Sequence, residues 1–247
     1  MNSTAYFTFH GELESLLQRE RRGTRFAYSC ARAATLKNAI ESLGVPHTEI
    51  GQILVNGVSA TLARTVRDGD AIETFPWDDA AAATPEGEYG FLADAHLGAL
   101  ARFLRMLGLD TMHENALPDA EIRRLAHDER RIVLTRDREL LKCREVLFGC
   151  LVRTQRPEDQ LREVAARYGL AAAAQPFTRC LHCNLPLDPV AKTAIAHRLP
   201  EQVRTRHERF THCRGCDRVY WPGSHYARMQ AVLRALLPDE PGSNRPG

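Results

Sequence analysis

FLADAHLGALARFLRMLGLD, residues Phe91–Asp110, sets a short apolar strand, Phe91-Leu92-Ala93, directly ahead of a helix. Leu97, Leu100, Ala101, Leu104 and Leu107 recur at helical spacing until Gly108 stops the run. The alternation continues downstream. A strand is expected near Asp110–Glu114, a helix over Asp119–Arg131, a third strand at Ile132–Thr135, a fourth over Val146–Val152, and a last helix over Pro157–Tyr168, opened by Pro157 and closed by Gly169. Strands alternating with helices make an α/β fold with a mainly parallel, doubly wound sheet. Ligands of such sheets bind outside the carboxyl ends of the strands.

The residues at those ends are acidic. Asp94 follows the first strand, Asp119 opens the helix after the second, and Asp137 follows the third within Thr135-Arg136-Asp137. Three carboxylates on one sheet edge repel one another unless a divalent cation neutralises them, and hard oxygen ligands point to Mg²⁺ or Mn²⁺. Such an ion suits phosphodiester hydrolysis. Singly, each residue also has a plain structural reading: Asp94 and Asp119 suit helix caps, and Asp137 suits an ion pair with Arg136 or Arg138. Arg136 and Glu139 flank Asp137 as secondary candidates. Arg102 and Arg105 lie off the leucine stripe, where they face either phosphate or solvent.

Two Cys-x-x-Cys pairs, Cys180/Cys183 and Cys213/Cys216, stand 29 residues apart and take four of the seven cysteines. Two such turns close a four-sulfur tetrahedral site with no open position, which makes the expected ion a structural zinc. His182 and His212 adjoin the thiolates. The Tyr220–Tyr226 cluster follows, with Arg218, His225, Tyr226 and Arg228 as candidate contacts for unpaired bases and phosphate. Trp221 reads as core of the ribbon.

Ahead of the α/β region, Tyr6–Phe9 and Arg25–Tyr28 read as strands, Thr35–Gly44 as a helix, Ile53–Val58 as a hairpin turning at Asn56-Gly57, and Ala71–Phe75 as a strand after Asp68-Gly69-Asp70. This order resembles the ubiquitin-like β-grasp proteins that carry sulfur. Those carriers end in a free Gly-Gly, whereas here the chain continues through Pro76-Trp77 into DDAAAATPEGE (Asp78–Glu88), a small, polar stretch that reads as a linker. Sulfur transfer has no chemical handle here.

The expected division is a β-grasp domain at 1–78, a linker at 79–88, an α/β nuclease domain at 89–172, a zinc ribbon at 173–237 and a disordered tail at 238–247. Net charge is +2 but uneven: −4 over residues 1–88, +1 over 89–170 and +5 over 171–247. Polyanions are expected toward the basic end, and the acidic first module is read as a detachable docking or substrate-positioning domain, its charge favouring contact with a protein partner over direct contact with RNA. No apolar run approaches the length of a membrane span, and the cysteine usage fits a reducing, cytoplasmic compartment.

Phe91–Asp94, Leu97–Thr111, Leu134–Arg138, Arg179–Asn184, Cys213–Cys216 and Arg218–His225 together resemble the PIN-like RNase family of the mut-seven C-terminal type, over roughly Tyr89–Met229. The resemblance implies metal-dependent cleavage of RNA, with Asp94, Asp119 and Asp137 as metal ligands and the Thr135 hydroxyl supporting them. A second reading is a non-catalytic RNA- or protein-binding adaptor that uses the ribbon and β-grasp surfaces.

Overall fold

The computed structural model describes residues 3–78, 82–115, 117–223 and 231. His225, Tyr226, Arg228 and the tail 238–247 lie outside them.

The first sheet is built from β1 (Ser3–Phe9), β2 (Phe26–Cys30), β3 (Ile50–Val55), β4 (Val58–Ser59) and β5 (Ala71–Pro76), in the order β2-β1-β5-β3-β4. β1 runs parallel to β5, and the other pairs are antiparallel. One helix, α1 (Leu36–Ser42), crosses it; the Thr35 hydroxyl caps it by accepting from the Asn38 N–H at 3.2 Å. Asn56 and Gly57 take φ of 53° and 78°, the left-handed pair that a two-residue hairpin needs. This is the ubiquitin-like β-grasp arrangement.

Asp70 anchors the last turn. Its carboxylate accepts two bonds from Arg64, at 2.7 and 3.1 Å, and one each from Asn56 and the Arg67 N–H. The Arg64 guanidinium is the chief cause holding Asp70 below the ordinary carboxylate range. A carboxyl lowered on folding stabilises above its unfolded pKa, and the stabilisation is lost as pH falls through the folded value. Asp70→Asn should therefore lower the melting temperature at neutral pH, and the deficit should shrink as the solution is acidified below about pH 4. Melting curves of both proteins across that range check it.

The second sheet has β6 (Phe91–Ala93), β7 (Thr111–Met112), β8 (Ile132–Thr135) and β9 (Gly149–Leu151), in the order β7-β6-β8-β9 with every pair parallel. Side chains alternate between its faces. Phe91, Ala93, Ile132, Leu134 and Cys150 join α2 (Gly98–Met106) and α5 (Pro157–Tyr168) in one core. Leu92, Val133 and Leu151 point the other way, toward α3 (Asp119–Asp128) and α4 (Arg138–Leu141).

That second face decides how the domains relate. Its core is continuous with the β-grasp core, so Leu140, Leu141, Val146 and Leu151 share one buried cluster with Leu13, Leu16 and Val45. The β-grasp module thus fills the helix layer that α3 and the one-turn α4 leave incomplete. Glu49, with its side chain 0% exposed, sits at the seam and accepts from the Leu151 N–H (3.0 Å), Arg153 (2.9 Å) and Arg167 (3.1 Å). Arg138 donates to the Leu16 carbonyl at 3.1 Å and Arg153 pairs with Glu12 at 3.3 Å. The stretch read as a linker also makes a contact, the Ala82 N–H donating to the Arg167 carbonyl, and just ahead of it the Trp77 indole donates to the Thr48 carbonyl within the β-grasp module. The reading of a detachable module is corrected on these grounds.

The ribbon adds a small sheet, β10 (Asp188–Pro189), β11 (Thr211–His212) and β12 (Val219–Tyr220), with the short helices α6 (Lys192–Ile195) and α7 (Glu201–Arg206) between its two Cys-x-x-Cys turns. Ile195, Leu199 and Phe210 make its core, and Trp221 packs against them. No helix among the described residues is long and apolar enough to cross a membrane.

Candidate active site and cysteine cluster

β6 and β8 are adjacent and parallel, so the residues leaving their carboxyl ends meet. Asp94 is half-buried there. Its Oδ1 accepts the His96 N–H at 2.9 Å, capping the turn Ala95–Leu97, and its Oδ2 accepts the Thr135 hydroxyl and the Arg136 N–H, the latter at 3.3 Å. Thr135, 0% exposed, in turn accepts the Asp137 N–H at 2.9 Å. A continuous relay, Asp137 N–H to Thr135 Oγ1 to Asp94 Oδ2, ties the two acids to one buried hydroxyl. Asp137 is exposed and caps α4, its Oδ1 accepting the Glu139 N–H at 2.8 Å. Its Oδ2 has no hydrogen-bond partner among the described residues. Both acids are therefore helix caps and both keep lone pairs facing the edge.

Asp119 is placed differently. Pro118, and not Asp119, takes the cap position of α3, and Asp119 is the exposed first helical residue. The helix packs over β6 and β8, which leaves its first turn on the carboxyl side of the sheet. Among the described residues, only the four cysteines gather three or more His, Cys, Asp or Glu ligand atoms within 4.8 Å of one another. The three carboxylates therefore do not gather within 4.8 Å of one another: Thr135 links the Asp94 carboxylate to the backbone N–H of Asp137, and Asp119 lies on the side of Arg123 and Cys143.

Arg136 is exposed at the same edge, and its guanidinium donates to Gln155 at 3.0 Å. Gln155 was missed from sequence, as was His113, whose ring covers Gly98 and reaches the Ala95 carbonyl at 3.4 Å. Both follow strand ends, β9 and β7, so the rule of inspecting each carboxyl end contained the signal. Glu139 pairs with Lys142 at 2.7 Å. Arg102 and Arg218 are exposed.

Arg105 requires a correction. It is 5% exposed, and its guanidinium donates to the carbonyls of Thr111 (2.8 Å), Leu181 (3.2 Å) and His182 (2.8 Å). The side chain locks the first cysteine turn onto α2 and is withdrawn from phosphate. Asn184 completes the lock by accepting the Thr111 N–H at 3.0 Å and donating to Asp110 at 2.6 Å. Gly108, at φ +86°, lies so close to the Gln175 carbonyl that a Cβ would collide with backbone.

The four thiols converge, with Cys180 Sγ 3.5 Å from Cys216 and Cys183 Sγ 3.2 Å from Cys213. Sulfurs about 2.3 Å from a tetrahedral ion stand roughly 3.8 Å apart, so the cluster has the size and donor set of a zinc site. Burial works to raise the Cys180 thiol, yet the Cys183 N–H, the Tyr220 hydroxyl at 3.1 Å and the His182 N–H outweigh it and bring it down to about 6. One thiolate is thus prepared by the fold. His212 faces Asp217 at 2.7 Å, outside the cluster.

A β-grasp module, a four-stranded parallel sheet with carboxylates at its carboxyl edge, and a four-cysteine ribbon together define a multi-layered α/β class. Residues 89–233 match the family model described as Mut7-C RNAse domain, and residues 2–82 match Mut7-C ubiquitin. The chain belongs to the Mut7-C RNAse domain family, and a ribonuclease-type function is what that membership supports. No curated protein and no solved structure matches the chain.

Proposed function

We propose that the protein is a metal-dependent ribonuclease acting at the carboxyl edge of β6 and β8, with a structural zinc in the ribbon. The observation that supports it most is the Asp94–Thr135–Asp137 relay on that edge, in a chain of this family. Asp94, Asp137 and Asp119 would hold Mg²⁺ or Mn²⁺, which supplies Lewis acidity to water and to the scissile phosphate. The chain's own residues do the positioning. Thr135 fixes the Asp94 carboxylate, the caps hold both acids at the helix starts, and Arg136 and Glu139 flank the place where phosphate would lie. The exposed Arg102 and Arg218 are proposed to contact the RNA backbone. The thiolate cluster requires a reducing compartment, which supports a cytoplasmic location.

The adaptor reading has one observation on its side: the three carboxylates do not lie within 4.8 Å of one another. Three carboxylates repel one another and gather only around a charge that offsets them, so an open spacing does not speak against an ion-binding edge. Asp94→Asn, Asp119→Asn and Asp137→Asn should each reduce divalent-dependent RNA cleavage by about two orders of magnitude or more with melting temperatures little changed. Variants that cut as well as wild type would transfer the role to the adaptor.

A further inference from the structure

A groove of about 820 Å³ runs along the seam between the β-grasp module and α4. One wall is the end of β2 and the loop after it, with Tyr28, Ser29 and Arg32; the floor includes Asn38 of α1; the opposite wall is Glu139 and Lys142. Glu139 lines the groove and donates its backbone N–H to Asp137 Oδ1, so the groove lies beside the helix start that Asp137 caps.

The segment that leads into this wall is charged oppositely to the rest of its module, and Arg32 is its arginine in the groove lining. Residues 19–32 hold five arginines against Glu20, a net +4, while the rest of residues 1–88 carries −8. None of Arg19, Arg21, Arg22, Arg25 and Arg32 has a carboxylate partner among the described residues, and Arg32 is exposed within the groove. Arg21, beside the groove and outside its lining, lies over the ring of Tyr28 at 5.7 Å, which sets a cation next to an aromatic side chain of the wall. The groove's carboxylates are already countered: Glu41 meets His47 at 2.7 Å and Lys37 at 3.3 Å, and Glu139 meets Lys142. The uncompensated charge is therefore positive.

We infer that this groove is a track for the backbone of single-stranded RNA, delivering it between the β-grasp module and α4 to the carboxylate edge. The inference rests on the ribonuclease reading for its destination but not for its binding chemistry. Arg21 and Arg32 neutralise phosphates, Lys142 and the polar groups of Ser29 and Asn38 donate to backbone oxygens, and Tyr28 offers a face to one base. Arg32 in the groove, with no carboxylate partner among the described residues, together with the groove's nearness to Asp137 favours RNA over a protein partner, because a substrate strand must carry phosphates to that edge and a docking protein need not.

The test uses the full-length zinc-loaded protein and a fluorescein-labelled single-stranded RNA without added Mg²⁺ or Mn²⁺, so that binding is read apart from cleavage. Doubly substituted protein, Arg21→Glu with Arg32→Glu, should bind at least about tenfold more weakly, and the log–log salt slope should become shallower by about 1.4, two phosphate contacts on a single strand. Arg21→Lys with Arg32→Lys should bind like wild type, and thiouridine-containing RNA should cross-link within residues 19–32 and 138–143. If the glutamate variant does not fold, Arg32→Gln alone, with its smaller loss and the cross-link map, decides. Unchanged affinity and slope, no binding by wild type, or cross-links confined to the ribbon would overturn the track and leave the seam to a protein partner. Divalent-dependent cleavage alongside unchanged binding would remove only the track; weakened binding in a protein that no metal activates would remove only the nuclease.

Discussion

Deleting residues 1–84 should give protein that does not fold, with melting transitions and soluble yield both lost. The expectation follows from the shared core, in which Val133, Leu140, Leu141, Val146 and Leu151 are covered in part by the β-grasp module. Exposing five such side chains costs about 8–15 kcal/mol at about 1.5–3 kcal/mol each, an upper bound similar to the whole stability of a domain. The ionic part adds to it. Without Glu49, the Leu151 N–H loses its acceptor, and Arg153 and Arg167 lose their carboxylate. Glu49→Gln isolates that contribution in the full chain and should destabilise by about 3–5 kcal/mol, because it leaves Arg167 at a buried seam without a counter-charge and Arg153 with Glu12 alone. Circular dichroism and denaturant titration of both proteins check it; a truncated chain that melts cooperatively would separate the domains again.

Chelation of the ribbon's metal, or Cys180→Ala, should unfold residues from about 179 to 221 and loosen the end of α2. A structural zinc contributes about 10–16 kcal/mol of apparent binding energy, far more than the small cluster of Ile195, Leu199 and Phe210 can replace. The effect should spread because the carbonyls of Leu181 and His182 accept from Arg105 Nη1, and losing that turn leaves the guanidinium with the Thr111 carbonyl as its one remaining acceptor among the described residues. Metal analysis should find about one zinc per chain. Hydrogen exchange should show protection lost in the ribbon first and then around Thr111. Freshly reduced protein free of zinc yet fully protected would refute the assignment.

Much of the fold was legible because its signals are local. Pro157 and Gly169 bound α5 as the sequence implies, with Gly169 at φ +60°, and the Phe91–Ala93 and Ile132–Thr135 strands fall where apolar runs meet helix patterns. The paired cysteines were readable for the same reason. What escaped was non-local. Periodicity shows that Leu140 and Leu141 are apolar but not that another domain covers them, and Glu49 reads as an ordinary charged residue until its arginines arrive from 104 and 118 positions away. Arg105 lies off the leucine stripe, as counted, yet is buried, since the ribbon covers that flank of α2 from more than seventy positions downstream. Of the candidate site, the strand-end rule found Asp94 and Asp137, while the hydroxyl relay that joins them depends on the parallel register of β6 and β8.

The central claim is that the β6–β8 edge cuts RNA with a divalent ion. Zinc-loaded, full-length protein should be incubated with end-labelled single-stranded RNA, with and without Mn²⁺ or Mg²⁺, beside Asp94→Asn. The account predicts cleavage only when the ion is added and at least about a hundredfold less by the variant. Cleavage that persists at the same rate without the ion, or in the variant, or no cleavage by wild type with either ion, would contradict it.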